Sequence, residues 1–159
     1  MLNEDYRDML HVLCDEEVKF LLVGAYALAA HGYPRAPMDI DIWVMPSPQN
    51  AEAVLRALRR FGASLDNLTR EHLQEDGTIF QIGVAPRRID IITAASGLQF
   101  EETYGRSLSV NIEGIEVHIP SIDDLIRNKR ASGRTKDLAD AEALESLKTS
   151  EQGGASDRQ

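Results

Sequence analysis

The chain holds one cysteine, one tryptophan and four phenylalanines in 159 residues, and it is short of positive charge, with 17 lysines and arginines against 26 aspartates and glutamates for a formal −9. A lone cysteine, Cys14, cannot form an internal disulfide and suits a reducing cytoplasm. The acidic balance argues against a broad surface for duplex DNA, although a small basic patch would still grip a nucleotide or an RNA end. The apolar runs are short and the N-terminus is acidic, so neither a membrane span nor a signal peptide is expected. The four histidines, His11, His31, His72 and His118, show no His/Cys ligand spacing and no Ser/His/Asp arrangement. An apolar content of 43% fits one domain over residues 1–148 with a single core. The stretch 149–159 is rich in Gly, Ser and Gln and reads as a disordered tail.

What is present is acid inside an apolar strand pattern. In Met38-Asp39-Ile40-Asp41-Ile42-Trp43-Val44, the two-residue period of a strand sends Ile40, Ile42 and Val44 one way and Asp39, Asp41 and Trp43 the other. Two carboxylates roughly 7 Å apart on one face repel each other, and a hard divalent cation with oxygen ligands relieves that repulsion. The plainer alternative is an exposed strand face that happens to be acidic. Arg87-Arg88-Ile89-Asp90-Ile91-Ile92 repeats the alternation, with Arg88, Asp90 and Ile92 sharing a face. If the two strands lie side by side with their polar faces together, Asp90 becomes a third carboxylate.

Upstream, residues 18–23 read as a buried strand that turns at Gly24 into an alanine-rich helix over 25–32. A glycine turn into a helix start offers backbone N–H groups to a phosphate, although close packing of helix on sheet explains Gly24 equally well. The remaining pattern gives a helix over 4–17, a strand over 39–45 and a helix over 49–61. It continues with paired strands over 78–84 and 88–93, a hairpin over 107–112 and 115–119 turning at Glu113-Gly114, and helices over 121–131 and 135–147. Gly133 marks the break between the last two helices.

Together these segments resemble the minimal nucleotidyltransferases of the DNA polymerase β superfamily, and within it the AbiEii toxin-like branch. The resemblance covers about residues 18 to 147 and rests on Gly24-Ala25, Arg35 ahead of Asp39-Ile40-Asp41, Asp90 in Arg88-Ile89-Asp90-Ile91, and the block from Asp124 through Lys129, Arg134 and Lys136 to Asp140. It implies an α+β fold, with a mixed, mostly antiparallel sheet and helices packed mainly on one face. It further implies transfer of a nucleoside monophosphate from a nucleoside triphosphate to an RNA end, a protein side chain or a small molecule. In such a site Asp39 and Asp41 bind two magnesium ions, with manganese as the substitute, and Asp90 completes the ion that activates the nucleophile. Gly24, Ala25, Arg35, Lys129, Arg134 and Lys136 are then the nucleotide-binding residues, and an antitoxin is the implied protein partner.

The chain departs from the family pattern at two positions, since Ala25 stands where many relatives have serine and Pro37 where they have threonine. Each change removes a hydroxyl that would meet phosphate. The basic block also admits a plain reading as a solvated helix face paired with Asp137 and Asp140. Three functions follow from these alternatives: an active transferase, a nucleotide-binding regulatory module without turnover, or a partner-binding scaffold.

Overall fold

Capping side chains set where the helices begin. The computed structural model describes residues 2–33 and 39–157, with side chains through Ser150. Helix α1 (Glu4–Asp15) starts behind Asn3, whose side chain accepts from the Tyr6 N–H at 2.9 Å, and it buries Tyr6, Met9, Leu10 and Leu13 at the i, i+3, i+4, i+7 spacing of one helical face. Strand β1 (Phe20–Val23) runs into helix α2 (Gly24–Ala30), and strand β2 (Ile40–Val44) follows. Helix α3 (Pro48–Phe61) has Ser47 as its N-cap and a proline in its first turn, and it ends at Gly62 in the left-handed conformation.

The polar connection after α3 contains a 3-10 turn at His72–Gln74 that buries Leu73. Strands β3 (Ile79–Ile82) and β4 (Ile89–Ile92) pair antiparallel. The four strands form one sheet in the order β1-β2-β4-β3, in which β2 and β4 run parallel and the other two ladders are antiparallel. The expected hairpin forms a separate two-stranded ribbon of β5 (Leu108–Ile112) and β6 (Ile115–Ile119). The fold is thus α+β, with antiparallel pairing predominant.

The sheet separates two cores. One face contributes Phe20, Leu22, Ile40, Ile42, Val44, Ile89 and Ile91 to the large cluster beneath α1 and α3, which also takes in Leu28 of α2 and Val117 of β6. Ile40 and Ile42 are fully buried there, each contributing roughly 1.5–3 kcal/mol. The opposite face is apolar at one end, where Leu21, Val23 and Trp43 pack under Phe100. Phe100 opens a short helix, α4 (Phe100–Gly105), which the sequence pattern did not reveal. The acid-bearing face is therefore half covered rather than wholly open to ligand.

Helix α5 (Ile122–Ser132) begins at Ser121, whose hydroxyl accepts from the Asp124 N–H at 3.2 Å, and it stops at Gly133, with φ of 72°. Helix α6 (Thr135–Asp157) starts two residues later and runs past the boundary near 147 read from the sequence. The tight left-handed turn brings the beginning of α6 back beside the end of α5, which decides where the basic block lies.

Candidate active site

Parallel pairing of β2 with β4 puts Asp41 opposite Asp90 in register, so the face-sharing inferred from alternation becomes direct juxtaposition. Asp39 lies just ahead of β2. Its Oδ1 accepts from the Arg88 backbone N–H at 2.9 Å, which ties it to the start of β4. The three acids singled out in the sequence are thus brought to one end of one sheet face. Asp90 is 7% exposed.

Arg88 lies among them. Its Nε donates to Asp90 Oδ1 at 2.7 Å and its Nη2 to Asp90 Oδ2 at 3.1 Å, a bidentate fork, while Nη2 is also 3.3 Å from Asp39 Oδ2. Bonding to Asp90 first, with the nearby Asp39 and Asp41 charges adding to it, holds the guanidinium more firmly in its charged form. Asp41 makes no ion pair among the described residues. Burial foremost, then the negative charges of Asp90 and Asp39 and a hydrogen bond with Asp90, push its carboxyl up to about 6 against a smaller opposing pull from Arg88.

Gly24 abuts this centre. It has φ of +68°, and a Cβ built on it would overlap Asp41 Oδ2, so close approach and backbone conformation both require glycine. Two adjoining cavities, of about 220 and 210 Å³, share Gly24, Asp41, Lys129, Arg134 and Asp137 in their walls. Ala25 and Lys136 line the first of them. A wider, mostly apolar groove of about 600 Å³ lies between Tyr26 and Ile112 and contains none of the candidate residues.

The basic block divides in two. Arg127, together with Arg106 from outside the block, pairs with the fully buried Asp124 at 2.8 and 3.0 Å, and Arg130 pairs with Glu145, whereas the pairing with Asp137 and Asp140 that the plain reading named is made by Lys129 and Arg134. Lys129, Arg134 and Lys136 face the cleft. Lys129 reaches across the helix break to Asp137 Oδ1 at 3.4 Å and Asp140 Oδ2 at 3.2 Å, both on buried carboxylates. Asp137 also accepts from Ser132 Oγ and from Arg134 Nε at 2.8 Å. Burial alone would raise its pKa, but the Ser132 hydroxyl, Arg134 and Lys129 outweigh burial and bring it down to about 2.

Of the expected nucleotide-binding residues, Gly24, Ala25, Lys129, Arg134 and Lys136 line one cleft with Asp41. Arg35 and Pro37 lie outside the described residues. Asp39 and Asp90 line neither cavity, being engaged by Arg88. Sequence reasoning did not assign Arg88 or Asp137 to the site. The signal for Arg88 was its place two residues before Asp90 on the same strand face. Asp137 was read only as an ion-pair partner of the basic block, a role it keeps toward Arg134 and Lys129 while also lining the cleft. Trp43, on the same strand face as Asp41, is 1% exposed and edge-on to Phe100, with ring centroids 5.2 Å apart, and so is packed away from any ligand.

The donor set suits a hard divalent cation in chemistry, since it is all carboxylate oxygen. Among the described residues, however, no three acidic, histidine or cysteine side chains converge to enclose an ion; Arg88 spans Asp39 and Asp90 instead.

This arrangement of strands and helices is the nucleotidyltransferase fold. Among solved structures, the chain is similar to a candidate nucleotidyltransferase from Thermotoga maritima (TM1012), with a TM-score of 0.59 and 16% identity over 94% of this chain and 96% of that one. It is also similar to the antibiotic-resistance factor ANT(2'')-Ia, with a TM-score of 0.51 and 14% identity over 96% of this chain and 91% of that one. No family model and no curated protein matches the sequence.

Proposed function

We propose that the protein is a magnesium-dependent nucleotidyltransferase. The observation that carries this reading is the register pairing of Asp41 with Asp90, with Asp41 lining a cleft that Lys129, Arg134 and Lys136 also line. Carboxylates and cations meeting at one cleft answer the two needs of phosphoryl transfer, a place for metal and a place for the leaving pyrophosphate. Asp39, Asp41 and Asp90 are the residues that would hold magnesium, or manganese in its stead, which would supply Lewis acidity for in-line displacement.

The chain's own residues then have separate tasks. The acceptor oxygen bonds to the α-phosphorus, the bond to the pyrophosphate oxygen breaks, and the acceptor's proton passes to Asp90. Lys136 is exposed and makes no ion pair among the described residues, so it is the cation freest to meet the departing pyrophosphate. Arg134 is 81% exposed on its side chain and shares its charge with Asp137. Lys129, neutralised by two buried acids, shapes the wall more than it charges it. Ala25 offers phosphate a backbone N–H but no hydroxyl.

The acceptor is an RNA end, a protein side chain or a small molecule, and the toxin half of a toxin–antitoxin pair in the cytoplasm is the setting that the sequence resemblance implies. A second reading, a nucleotide-binding module without turnover, draws on Ala25 and on the Arg88 contacts. To separate the two, wild type and the Asp39→Asn and Asp41→Asn variants are incubated with magnesium, each of four α-labelled triphosphates, and total RNA or lysate. Label transferred by wild type alone supports the transferase. Metal-dependent triphosphate binding without transfer supports the module, and absence of both overturns the two readings.

A further inference from the structure

We infer that Arg88 is an internal counter-ion that holds the acidic centre closed, and that its side chain must leave Asp39 and Asp90 before a divalent cation is enclosed. The inference rests on the transferase reading of the same centre. All four carboxylate oxygens of Asp39 and Asp90 are engaged by this one residue. The guanidinium takes Asp90 Oδ1, Asp90 Oδ2 and Asp39 Oδ2 at 2.7, 3.1 and 3.3 Å, and the backbone N–H takes Asp39 Oδ1 at 2.9 Å. A cation entering between these acids competes for the same lone pairs. Guanidinium and metal ion are alternative occupants of one set of charges.

The fold separates what is fixed from what can move. The Arg88 carbonyl accepts from the Ile40 N–H at 3.0 Å and from the buried Tyr6 hydroxyl at 3.2 Å, and the Arg88 N–H is bound to Asp39. The backbone is thus anchored at both of its polar groups, to β2 on one side and α1 on the other. The side chain is 29% exposed and has a path to solvent. When it swings out, Asp39 keeps its backbone tie and stays beside β4, so the cage opens without losing its frame. The released guanidinium then stands near the centre as a fresh positive charge, suited to a phosphate oxygen. Metal entry and triphosphate entry therefore favour each other.

The test is a titration of wild type, Arg88→Gln and Arg88→Lys with Mn²⁺, following free Mn²⁺ by electron paramagnetic resonance and the fold by circular dichroism. Removing a competing unit charge from a partly buried site is expected to tighten Mn²⁺ binding by about tenfold or more in Arg88→Gln. Arg88→Lys, a point charge that cannot fork across both acids, should fall between the two. Binding by folded Arg88→Gln that is no tighter than wild type, or is undetectable, overturns the inference. Should Arg88→Gln fail to fold, wild type is treated with butanedione with and without saturating Mn²⁺, and modification is mapped by peptide mass. Faster modification of Arg88 with Mn²⁺ supports its release, and an equal rate overturns it. Label transfer is scored separately: tighter Mn²⁺ binding without transfer leaves the counter-ion standing and removes the transferase, whereas transfer with unchanged affinity does the reverse.

Discussion

Asp41 and Asp90 are register partners on the parallel β2–β4 ladder, two like charges side by side where the sheet face emerges from under Phe100. Burial and this neighbour raise the Asp41 pKa from 3.8 to about 6, so ionising Asp41 opposes folding.

Its sign is opposite to that of a salt-bridged aspartate. Below pH ~4 Asp41 is protonated in both states and carries no penalty. Stability is lost as the pH rises from about 4 to about 6, and the full loss, about 3 kcal/mol, applies above that. In metal-free protein, Asp41→Asn should therefore stabilise by about 1–3 kcal/mol at pH 8 and by little at pH 4. Thermal melts of both proteins across that range check it, and a pH-independent difference would refute it.

Gly24→Ala should destabilise by about 1–3 kcal/mol, since a left-handed backbone must accept a Cβ that overlaps the Asp41 carboxylate. Urea denaturation gives the stability. A Mn²⁺ titration shows the displaced carboxylate as weaker metal binding, which strain in a remote turn would not produce.

Lys129 and Lys136 should behave differently although both line the cleft. Lys129→Ala leaves Asp137 and Asp140 buried beside each other without their shared cation, a loss expected to cost about 3–5 kcal/mol. Lys136→Ala should change stability by no more than about 0.5 kcal/mol while weakening triphosphate binding. Calorimetric binding and melting of the two variants separate the roles. Equal stability loss in both would refute the division.

Asp137 has a lowered pKa, so its contribution is fully present above the unfolded value near 3.8 and is lost as the pH falls through about 2. Asp137→Asn should be less stable than wild type at pH 7 by about 1–3 kcal/mol, and the gap should close between pH 4 and 2. Chemical denaturation at both ends of that window provides the measurement.

The alternation of Asp39, Asp41 and Asp90 was readable because a strand's side-chain period is two, and the helix stop at Gly133 was readable from glycine itself. The sequence could pose the adjacency of Asp41 and Asp90 only as a condition, because parallel pairing joins residues 49 positions apart and leaves no local mark. Helix α4 went unseen for a related reason. Its six residues hold too little periodicity, and its aromatic residues are explained by distant partners, Phe100 by Trp43 and Tyr104 by His118 and Lys19. For Lys129 the sequence left two readings open, a phosphate contact or a partner of Asp137 and Asp140, and could not choose because both acids sit beyond Gly133, where helical spacing rules no longer apply.

Trp43, the single tryptophan, sits two residues from Asp41 on the same strand face, fully packed, and among the described residues its indole N–H has no hydrogen-bond partner. The protein therefore carries one fluorophore in dry surroundings at the back of its own acidic centre. Its emission should be blue-shifted and uncomplicated by other indoles, so a cation or nucleotide arriving at Asp41 would register as a spectral change with no label attached.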